Sequence, residues 1–448
     1  MDNKTDKFLN RIRELFNIEI DKKVMKRAEK SLLDYVAVTV AGAAENKDRI
    51  SKFIKNGSVE KGGYKAVGVD GLFTLKDAVF LNGLNGHTLD FDDGTNAGII
   101  HLGSPIFSCL LPRAQKYNIS LERFLRSAII GYEASFTMAI SAQPKLKQNG
   151  YHATPVCGIF GIVTAICYML GLDFETYKEA FSTAAVSASG TLSVLDDGSQ
   201  LKPYNVAKIA VLGIISVQMA LAGYHGHPDI LGSERGYLKL FTGSNETELQ
   251  KPLLNGTWAI EKTYTKPYAA CRYCHPSIGA AINLSKKYNL EPESIENIKS
   301  ETYYWAVYKH DHTDIPCSAS AKMSIPYGIA VGIINKTAGF MQYTEDAVKN
   351  ERVLSLAKKV KVYENKTYTN QYPNTSSATV TITLKNGDVL TETVDFPKGE
   401  PENPLSEEEF FERFVGLFNY ADKPKETAKD VYCNLCDSDK FNEIIKRL

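Results

Sequence analysis

Long segments with apolar residues at helical spacing run through the first 260 or so residues of this chain, and they limit its fold more than any other feature. Seven segments keep this spacing, namely residues 23–43, 75–89, 104–117, 121–142, 151–171, 175–195 and 205–223. Most are rich in alanine, glycine and serine, which let helices approach closely. A compact helical bundle is therefore predicted, with one short extended piece at 65–70.

The pattern changes after residue 262. Extended segments are predicted at 297–305, 358–364 and 378–396, and helices at 277–289 and 325–336. The last extended segment alternates apolar and polar residues on both sides of Asn386–Gly387, which is the strongest short signal for a β-hairpin. A small antiparallel sheet with a few helices is therefore predicted here.

These patterns predict a mainly α protein with three parts. Residues 1–262 form a large all-helical domain, and residues 263–399 form a smaller α+β domain with an antiparallel sheet. A Pro-rich linker at 400–404 leads to amphipathic C-terminal helices, so that residues 400–448 return to the helical domain. A chain of 448 residues is also longer than one hydrophobic core usually organises.

Charge and composition exclude several classes of partner. Lys plus Arg is 52 and Asp plus Glu is 52, and this balance argues against a nucleic-acid or membrane-surface protein, which is typically recognised by a basic face. In the sequence, no apolar run reaches the length needed to span a bilayer, about 18 residues. The N-terminal segment lacks the apolar stretch of a secretory signal. We therefore predict a cytoplasmic protein that binds neither nucleic acid nor membrane.

Eight scattered cysteines fit reduced thiols in such a protein. Two pairs have C-x-x-C spacing, Cys271/Cys274 and Cys433/Cys436. Paired motifs of this kind can bind zinc, but the two pairs lie about 160 residues apart, far more than zinc sites usually have. No metal ligand is predicted from them.

The acidic stretch at 82–105 is the first candidate for chemistry. It holds three carboxylates within four residues (Asp90, Asp92 and Asp93), two histidines (His87 and His101) and five glycines. Carboxylates are almost never fully buried unless they are paired or hydrogen-bonded. The stretch is therefore either a solvated junction between a helix and a loop, or a site whose acids are held for a purpose.

Three histidines share one setting, at the boundary between a loop and a helix: His101, His152 and His275. Imidazole exchanges protons near neutral pH, and the free N–H groups of a helix N-terminus can hold a carboxylate. A single such histidine is more often a cap or a hydrogen-bonded core residue. The repetition of the setting favours acid–base chemistry.

Cationic groups accompany these histidines. Lys202 follows a Gly-Ser-Gln-Leu turn, and Lys266 lies where the helical part gives way to the sheet part, a position where ligand clefts often form. Arg272 could hold a substrate carboxylate at two points, and Cys271 beside it could be activated or simply packed. We read the His310/His312 pair as solvent-exposed. The phosphate-binding loop and the dinucleotide fingerprint are both absent from the sequence. Together, these carboxylates, histidines and cationic groups suit proton transfer on a small anionic substrate.

Seven blocks in order resemble the MmgE/PrpD family, which includes 2-methylcitrate dehydratase, cis-aconitate decarboxylase and iminodisuccinate epimerase. They are LLDYVAVTVAG at 32–42, NGLNGHTLDFDD at 82–93, GYHATPVCGIFGIVTAICYMLGLD at 150–173, SASGTLSVLDDGSQLKP at 187–203, KPYAACRYCHPSIGAA at 266–281, SIPYGIAVGI at 324–333 and LKNGDVLTETVDFPKGEPENPLSEEEF at 384–410. The resemblance covers essentially the whole chain.

This resemblance implies a large helical domain closed by the C-terminal tail, an inserted lid domain and a homodimer. It also implies no metal and no organic cofactor. The active-site set of the decarboxylase members falls on six residues of this chain: Asp90, His101, His152, Lys202, Lys266 and Tyr327. Further substrate contacts are predicted from four residues: Thr95, Cys271, Arg272 and His275.

Three functions follow as hypotheses. The favoured one is a cofactor-independent lyase that dehydrates or decarboxylates a small di- or tricarboxylate, with His101 and His152 as base and acid. Cys271 stands where the decarboxylases carry a histidine, which keeps open an isomerase that removes and returns a proton. The third is a family member that binds polycarboxylates without turnover. Function depends on the site rather than on the fold.

Overall fold

The computed structural model describes residues 3–57, 59–195 and 199–448, and most of them are helical. The prediction of a mainly α chain with a smaller α+β part is confirmed. Residue contacts divide the chain into two compact units. Unit 1 comprises Met1–Val194, Leu201–Thr263 and Glu407–Leu448, and unit 2 comprises Leu195–Gln200 and Tyr264–Ser406. The lid role predicted for residues 263–399 stays a prediction.

Unit 1 is a helical bundle with one two-stranded antiparallel sheet. Its helices are Lys4–Glu14, Lys22–Glu45, Lys47–Asn56, Leu75–Thr88, Gly103–Tyr117, Leu121–Ala142, Lys145–Gln148, Ala153–Leu170, Phe174–Ser187, Lys202–Leu221, Tyr237–Thr242, Glu407–Tyr420, Lys425–Asn434 and Phe441–Arg447. The strands Lys61–Ala66 and Val69–Phe73 pair with each other and extend the short piece predicted at 65–70.

Small residues and side-chain caps explain why these segments fold as helices. Asp21 and Thr74 each accept a hydrogen bond from a backbone N–H in the first turn of the helix that follows them, satisfying a group that would otherwise lack a partner. Gly42 permits a close helix contact, since a Cβ there would lie 2.0 Å from the carbonyl oxygen of Asn85. This contact fixes the helix Leu75–Thr88, whose end carries the candidate site.

Two expectations from the sequence need correction in unit 1. The helix predicted at 205–223 begins three residues earlier, so Lys202 is its first residue rather than part of a turn. The acidic pair Asp196–Asp197, in the segment that precedes it, lies outside the described residues. The expectation about apolar length was also wrong, because Ala153–Leu170 and Lys202–Leu221 are each long and apolar enough to cross a membrane by length and composition. Buried core helices pass the same test, and 94% of the Ala153–Leu170 window is buried.

Unit 2 contains a four-stranded sheet and short helices. The strands, in spatial order, are Val360–Glu364, Ile295–Thr302, Ala378–Leu384 and Val389–Val394. The helices are His275–Tyr288, Tyr304–Val307, Ser318–Ala321, Ile325–Asn335, Glu351–Ala357 and Lys366–Gln371. The hairpin predicted around Asn386–Gly387 is confirmed, with Gly387 at φ 93°, where glycine is favoured.

The sheet of unit 2 is mixed rather than purely antiparallel. Strand Val360–Glu364 runs parallel to Ile295–Thr302, whereas the other two pairs are antiparallel. Parallel neighbours need a long crossover connection, and the segment between these two strands contains several helices that supply it. Alternation within a strand indicates which face is buried but does not indicate the direction of its neighbour, so the sequence prediction was incomplete here.

Candidate active site

A sharp turn at Asp90 begins the candidate site in unit 1. The helix Leu75–Thr88 ends there, and Asp90 adopts the left-handed conformation with φ 51°. Glycine is the usual residue at such a position, although Asp tolerates it better than most. The turn sends the chain back towards the helix end it has just left. An unfavourable backbone conformation kept at a buried carboxylate points to a functional constraint.

A second turn delivers His101 to the start of the helix Gly103–Tyr117. The backbone N–H of Thr95 donates to the carbonyl of Ile100 over 2.9 Å and closes this turn. The backbone N–H of His101 donates to Thr154 Oγ1 over 3.1 Å. Thr95, predicted to contact substrate, thus contributes its backbone to the turn, and its hydroxyl oxygen accepts from Gly98 N–H.

The orientation of His101 is set by its Nδ1 atom. This atom lies 2.8 Å from the backbone carbonyl oxygen of Asp93 and 3.3 Å from Asp92 Oδ2. A carbonyl oxygen only accepts, so Nδ1 carries the proton and donates it. Neutral His101 therefore keeps its lone pair on Nε2, which lies 3.9 Å from Asp90 Oδ1. This is the tautomer that a general base requires.

Asp92 joins two imidazoles. Both of its carboxylate oxygens lie 2.9 Å from Nδ1 of His87, and Ser104 Oγ donates to Oδ2 over 2.8 Å. The rings of His87 and His101 meet edge to face with centroids 4.6 Å apart. All of these groups are buried. Asp92 thus fixes the position of His101 from the side opposite its lone pair.

Electrostatics keep His101 neutral and Asp92 ionised at neutral pH. Burial lowers the pKa of His101 from 6.5 to about 4; the Asp92 carboxylate only partly offsets this, and His87 and then Lys202 lower it further. Burial opposes the ionisation of Asp92, but the two imidazoles beside it hold its pKa well below 3.8. A neutral imidazole beside an anionic carboxylate is the resting state of a base poised to accept a proton.

Lys202 forms an ion pair with Asp90. Its Nζ lies 2.7 Å from Asp90 Oδ1, and the Asp90 side chain is 8% exposed. Lys202 is the first residue of its helix, where the helix dipole disfavours a positive charge. The Asp90 carboxylate compensates for this cost. The pair brings an ammonium group to the carboxylate that lies nearest Nε2 of His101.

His152 occupies the N-cap position of the helix Ala153–Leu170. Its backbone N–H donates to the carbonyl of Gly190 over 3.1 Å, and its Nδ1 lies 3.2 Å from Nδ2 of Asn205. Burial, followed by the charge of Lys202, lowers the pKa of His152 well below 6.5. Unit 1 thus brings together four of the six predicted catalytic residues: Asp90, His101, His152 and Lys202.

Asp93 is the third acid of the stretch, and it supports the loop. Its Oδ1 accepts from Gly103 N–H and its Oδ2 accepts from the Tyr132 hydroxyl, both over 2.8 Å. Burial raises the pKa of Asp93 from 3.8 to about 7, and the negative charges of Asp92 and Asp34 add to this effect. Asp93 therefore titrates near neutral pH in the folded protein.

Replacing Asp93 by asparagine is expected to change the pH dependence of stability. Between the two pKa values the folded protein holds a proton that the unfolded chain has lost, so the free energy of unfolding falls as pH rises to about 7. Asparagine resembles the protonated acid and does not titrate, so the free energy of unfolding of the variant does not fall in this way. Urea unfolding is measured from about pH 4 to about pH 8. The free energy of unfolding of the variant, relative to that of the wild type, should rise by up to about 1.4 kcal/mol per pH unit. If the free energies of unfolding of the two proteins changed with pH in parallel, the prediction would be contradicted.

One group of side chains in the described part of the chain could hold a metal ion. The ligand atoms of His87, Asp92 and His101 lie within 4.8 Å of one another, and all three residues are buried. Nδ1 of His87 and Nδ1 of His101 are already hydrogen-bonded, so a metal ion bound at these two atoms would have to displace their protons. No step of the chemistry considered below depends on such an ion.

Unit 2 holds the other predicted residues, beginning with Arg272. Its Nε donates to Glu400 Oε1 over 3.2 Å, its Nη2 also pairs with Glu400, and its guanidinium stacks on the ring of Tyr264 at 4.5 Å. Glu400 is buried, although its segment was predicted to be a linker. Arg272 therefore has a carboxylate partner within its own unit, whereas the sequence suggested a substrate carboxylate.

His275 is engaged at both ring nitrogens. Its Nε2 lies 3.1 Å from the carbonyl oxygen of Ala270, and Nη1 of Arg272 lies 2.8 Å from its Nδ1. Because the carbonyl can only accept, Nε2 carries the proton and Nδ1 accepts from the arginine. His275 thus orients Arg272, and its predicted substrate contact stays a prediction.

The remaining predicted residues of unit 2 differ in exposure. Lys266 is 1% exposed, and Tyr327 is equally buried in the first turn of the helix Ile325–Asn335. The Tyr327 hydroxyl donates to the carbonyl of Gln342 over 2.7 Å, and burial raises its pKa. Cys271 is partly exposed. Their catalytic or binding roles stay predictions.

The structure also bears on two further expectations about histidine and cysteine. His310 was expected to be solvent-exposed, but it is buried against the ring of Tyr273, 5.4 Å between centroids. The neighbours that cover it are remote in sequence, so local polarity misled the prediction. All eight cysteines are free thiols. Among the described residues, neither C-x-x-C pair belongs to a group of three potential metal ligands.

Sequence reasoning missed Asn205, and it named His87 and Asp92 only as members of the acidic stretch, without their contacts. His87 and Asp92 are five residues apart, and they meet only because the helix ends at Thr88 and the chain reverses at Asp90. A helix ending shortly before an acidic run was visible in the sequence and could have suggested this pair. The contact of Asn205 with His152 spans 53 residues and left no local signal.

Known proteins resemble this chain over most of its length. The family model of the MmgE/PrpD N-terminal domain matches residues 12–250, and that of the MmgE/PrpD C-terminal domain matches residues 268–435. A cis-aconitate decarboxylase of Aspergillus terreus is 24% identical over 422 residues, covering 89% of this chain and 86% of that protein. The cis-aconitate decarboxylase of Mus musculus is 24% identical over 350 residues, covering 75% of this chain and 70% of that protein.

The human cis-aconitate decarboxylase is 22% identical over 357 residues, covering 75% of this chain and 71% of that protein. These relatives support a lyase-type function for the family to which the two models point. Together the two family models match most of the chain, residues 12–250 and 268–435. This protein belongs to the MmgE/PrpD family.

Proposed function

We propose that this protein is a lyase that needs no cofactor and removes water or carbon dioxide from a small di- or tricarboxylate. One observation carries the proposal. The lone pair of a neutral, buried His101 lies beside a carboxylate–ammonium pair, with Nε2 3.9 Å from Asp90 Oδ1 and Lys202 Nζ 2.7 Å from the same oxygen. A base next to a cation suits removal of a proton adjacent to a substrate carboxylate.

The chemistry requires charge to be stabilised on the substrate carboxylate. In a dehydration, His101 takes the proton adjacent to the carboxylate, the electron pair moves into the new double bond, and the hydroxyl leaves as water after protonation. Lys202 would hold the oxygens on which negative charge develops. Loss of one such preorganised group typically costs about 10² to 10³ in rate.

A decarboxylation uses the same groups differently. Carbon dioxide leaves, the electron pair it releases shifts the double bond, and one proton is delivered to carbon. The proton balance then requires one solvent proton per turnover, so a product formed in D₂O carries one deuterium at that carbon. A polyanionic substrate also raises the pKa of His101 from its low resting value, because nearby negative charge favours imidazolium.

Proton NMR of the purified protein in D₂O tests this proposal. The panel comprises cis-aconitate, 2-methylcitrate and a 2-substituted succinate. A new alkene, with or without carbon dioxide, is the expected result and identifies which reaction occurs. Deuterium entering a substrate with no new compound would overturn the lyase proposal in favour of an isomerase. Tight binding without any conversion, measured by melting-temperature shifts, would indicate a binding protein instead.

A further inference from the structure

We propose that Asn205 is a positioning residue that holds His152 as the tautomer with its proton on Nε2, so that His152 donates a hydrogen bond to the substrate. The inference deepens the proposed function and rests on it for the identity of the acceptor. It gives His101 and His152 opposite roles, a base and a donor. This division of labour does not follow from the two residues being histidines.

The contact between Asn205 and His152 is the first step. Nδ2 of Asn205 lies 3.2 Å from Nδ1 of His152, and both residues are buried. An amide NH₂ group only donates, so Nδ1 of His152 must accept and cannot carry a proton. The one proton of the neutral ring is therefore on Nε2. Asn205 lies in the first turn of the helix Lys202–Leu221.

The surroundings of His152 keep the ring neutral, which makes the tautomer matter. His152 caps the N-terminus of the helix Ala153–Leu170, whose dipole disfavours a positive charge. Lys202 adds a nearby positive charge, while the Asp90 carboxylate acts in the opposite direction and is already paired with Lys202. The other titratable groups that act on the ring are His87 and His101.

His101 supplies the internal comparison. Its Nδ1 donates to a backbone carbonyl, which leaves a lone pair on Nε2. The Nδ1 of His152 instead accepts from an amide, which leaves an N–H on Nε2. A neutral imidazole that donates from a helix N-terminus is an established way to polarise a substrate oxygen. The two rings thus offer one acceptor and one donor at the same pH.

Histidine ¹⁵N NMR of the wild-type protein without substrate tests the tautomer directly. The His152 resonances are assigned from the spectrum of a His152→Gln variant. We expect Nε2 to show the shift of a protonated nitrogen and Nδ1 that of an unprotonated one, across the neutral pH range. A proton on Nδ1, or an imidazolium at neutral pH, would overturn the inference.

Two substitutions test whether the tautomer matters for turnover. In Asn205→Asp the carboxylate accepts from Nδ1, so the proton should leave Nε2 and kcat should fall by about 10² or more. In Asn205→Leu, which has a similar shape and no polar group, both tautomers should be populated and kcat should fall less. Since the amide does not touch the substrate, KM should stay within about threefold. A wild-type kcat in Asn205→Leu with a mixed tautomer would overturn the proposed role.

The tautomer and the lyase activity can fail independently of each other. The ¹⁵N measurement uses no substrate, so the expected tautomer can be found even if every acid in the panel fails to react. Conversely, lyase activity with the proton on Nδ1 would support the proposed function and overturn this inference. If Asn205→Asp does not fold, the wild-type spectrum and the leucine variant still decide the outcome.

Discussion

Replacing His101 by glutamine is expected to lower kcat by about 10² to 10⁴, because the variant loses the buried lone pair that accepts the substrate proton. Glutamine keeps a polar group near the carbonyl of Asp93, so the loop should stay folded. Initial rates on the reacting acid, together with the melting temperature, measure the effect. The effect should fall on kcat rather than on KM.

The exposed His225 provides a matched control in the same unit. Its side chain is 81% exposed and pairs with Glu179, well away from the acidic stretch in sequence. His225→Gln should keep wild-type rates, and an effect there as large as at position 101 would indicate nonspecific damage. Wild-type turnover in a folded His101→Gln variant would contradict the assignment of His101 as the base.

Replacing Asp92 by asparagine is expected to have the second-largest effect, a fall in kcat of about 10² to 10⁴. The Asp92 carboxylate lies 3.3 Å from Nδ1 of His101 and raises the pKa of this imidazole, so a neutral amide in its place should leave His101 a weaker base. The carbonyl of Asp93 still holds the proton on Nδ1. Asp92 acts through His101, so it is a positioning residue.

Two measurements distinguish this positioning role from a general loss of structure. Histidine ¹⁵N NMR of Asp92→Asn should show the pKa of His101 lowered further, with the proton of the neutral ring still on Nδ1, which simple destabilisation would not produce. Asp48→Asn, an exposed acid in unit 1, should leave both kcat and the spectrum unchanged. An Asp92→Asn variant that keeps both the wild-type pKa of His101 and the wild-type rate would contradict the role given to Asp92.

The helical spacing of apolar residues predicted much of the fold. The segment predicted at 121–142 is the helix Leu121–Ala142, and the hairpin around Asn386–Gly387 lies where the alternation placed it. These features depend on residues close in sequence, so local pattern suffices. The start of the helix at Lys202 was placed too late because Lys202 and Pro203 resemble a turn, although proline in the first turn is favourable.

The candidate site was predicted in its residue types but not in its connections. Asp90, His101, His152 and Lys202 do meet within unit 1, as a shared proton-transfer role required. Asp90 and Lys202 lie far apart in sequence, and no local pattern encodes their pairing. Arg272 was read as a substrate clamp because its partner Glu400 is equally remote and lies in a segment that resembles a linker.

Proton NMR in D₂O with the acid of the panel that the wild type converts, run in parallel on the wild type and on His101→Gln, tests the central claim most directly. We expect the wild type to form a new alkene, with one deuterium incorporated per turnover where carbon dioxide is lost, and the variant to form this alkene at least about 10² times more slowly. Equal rates of conversion in the two proteins would contradict the claim that the imidazole of His101 transfers the proton.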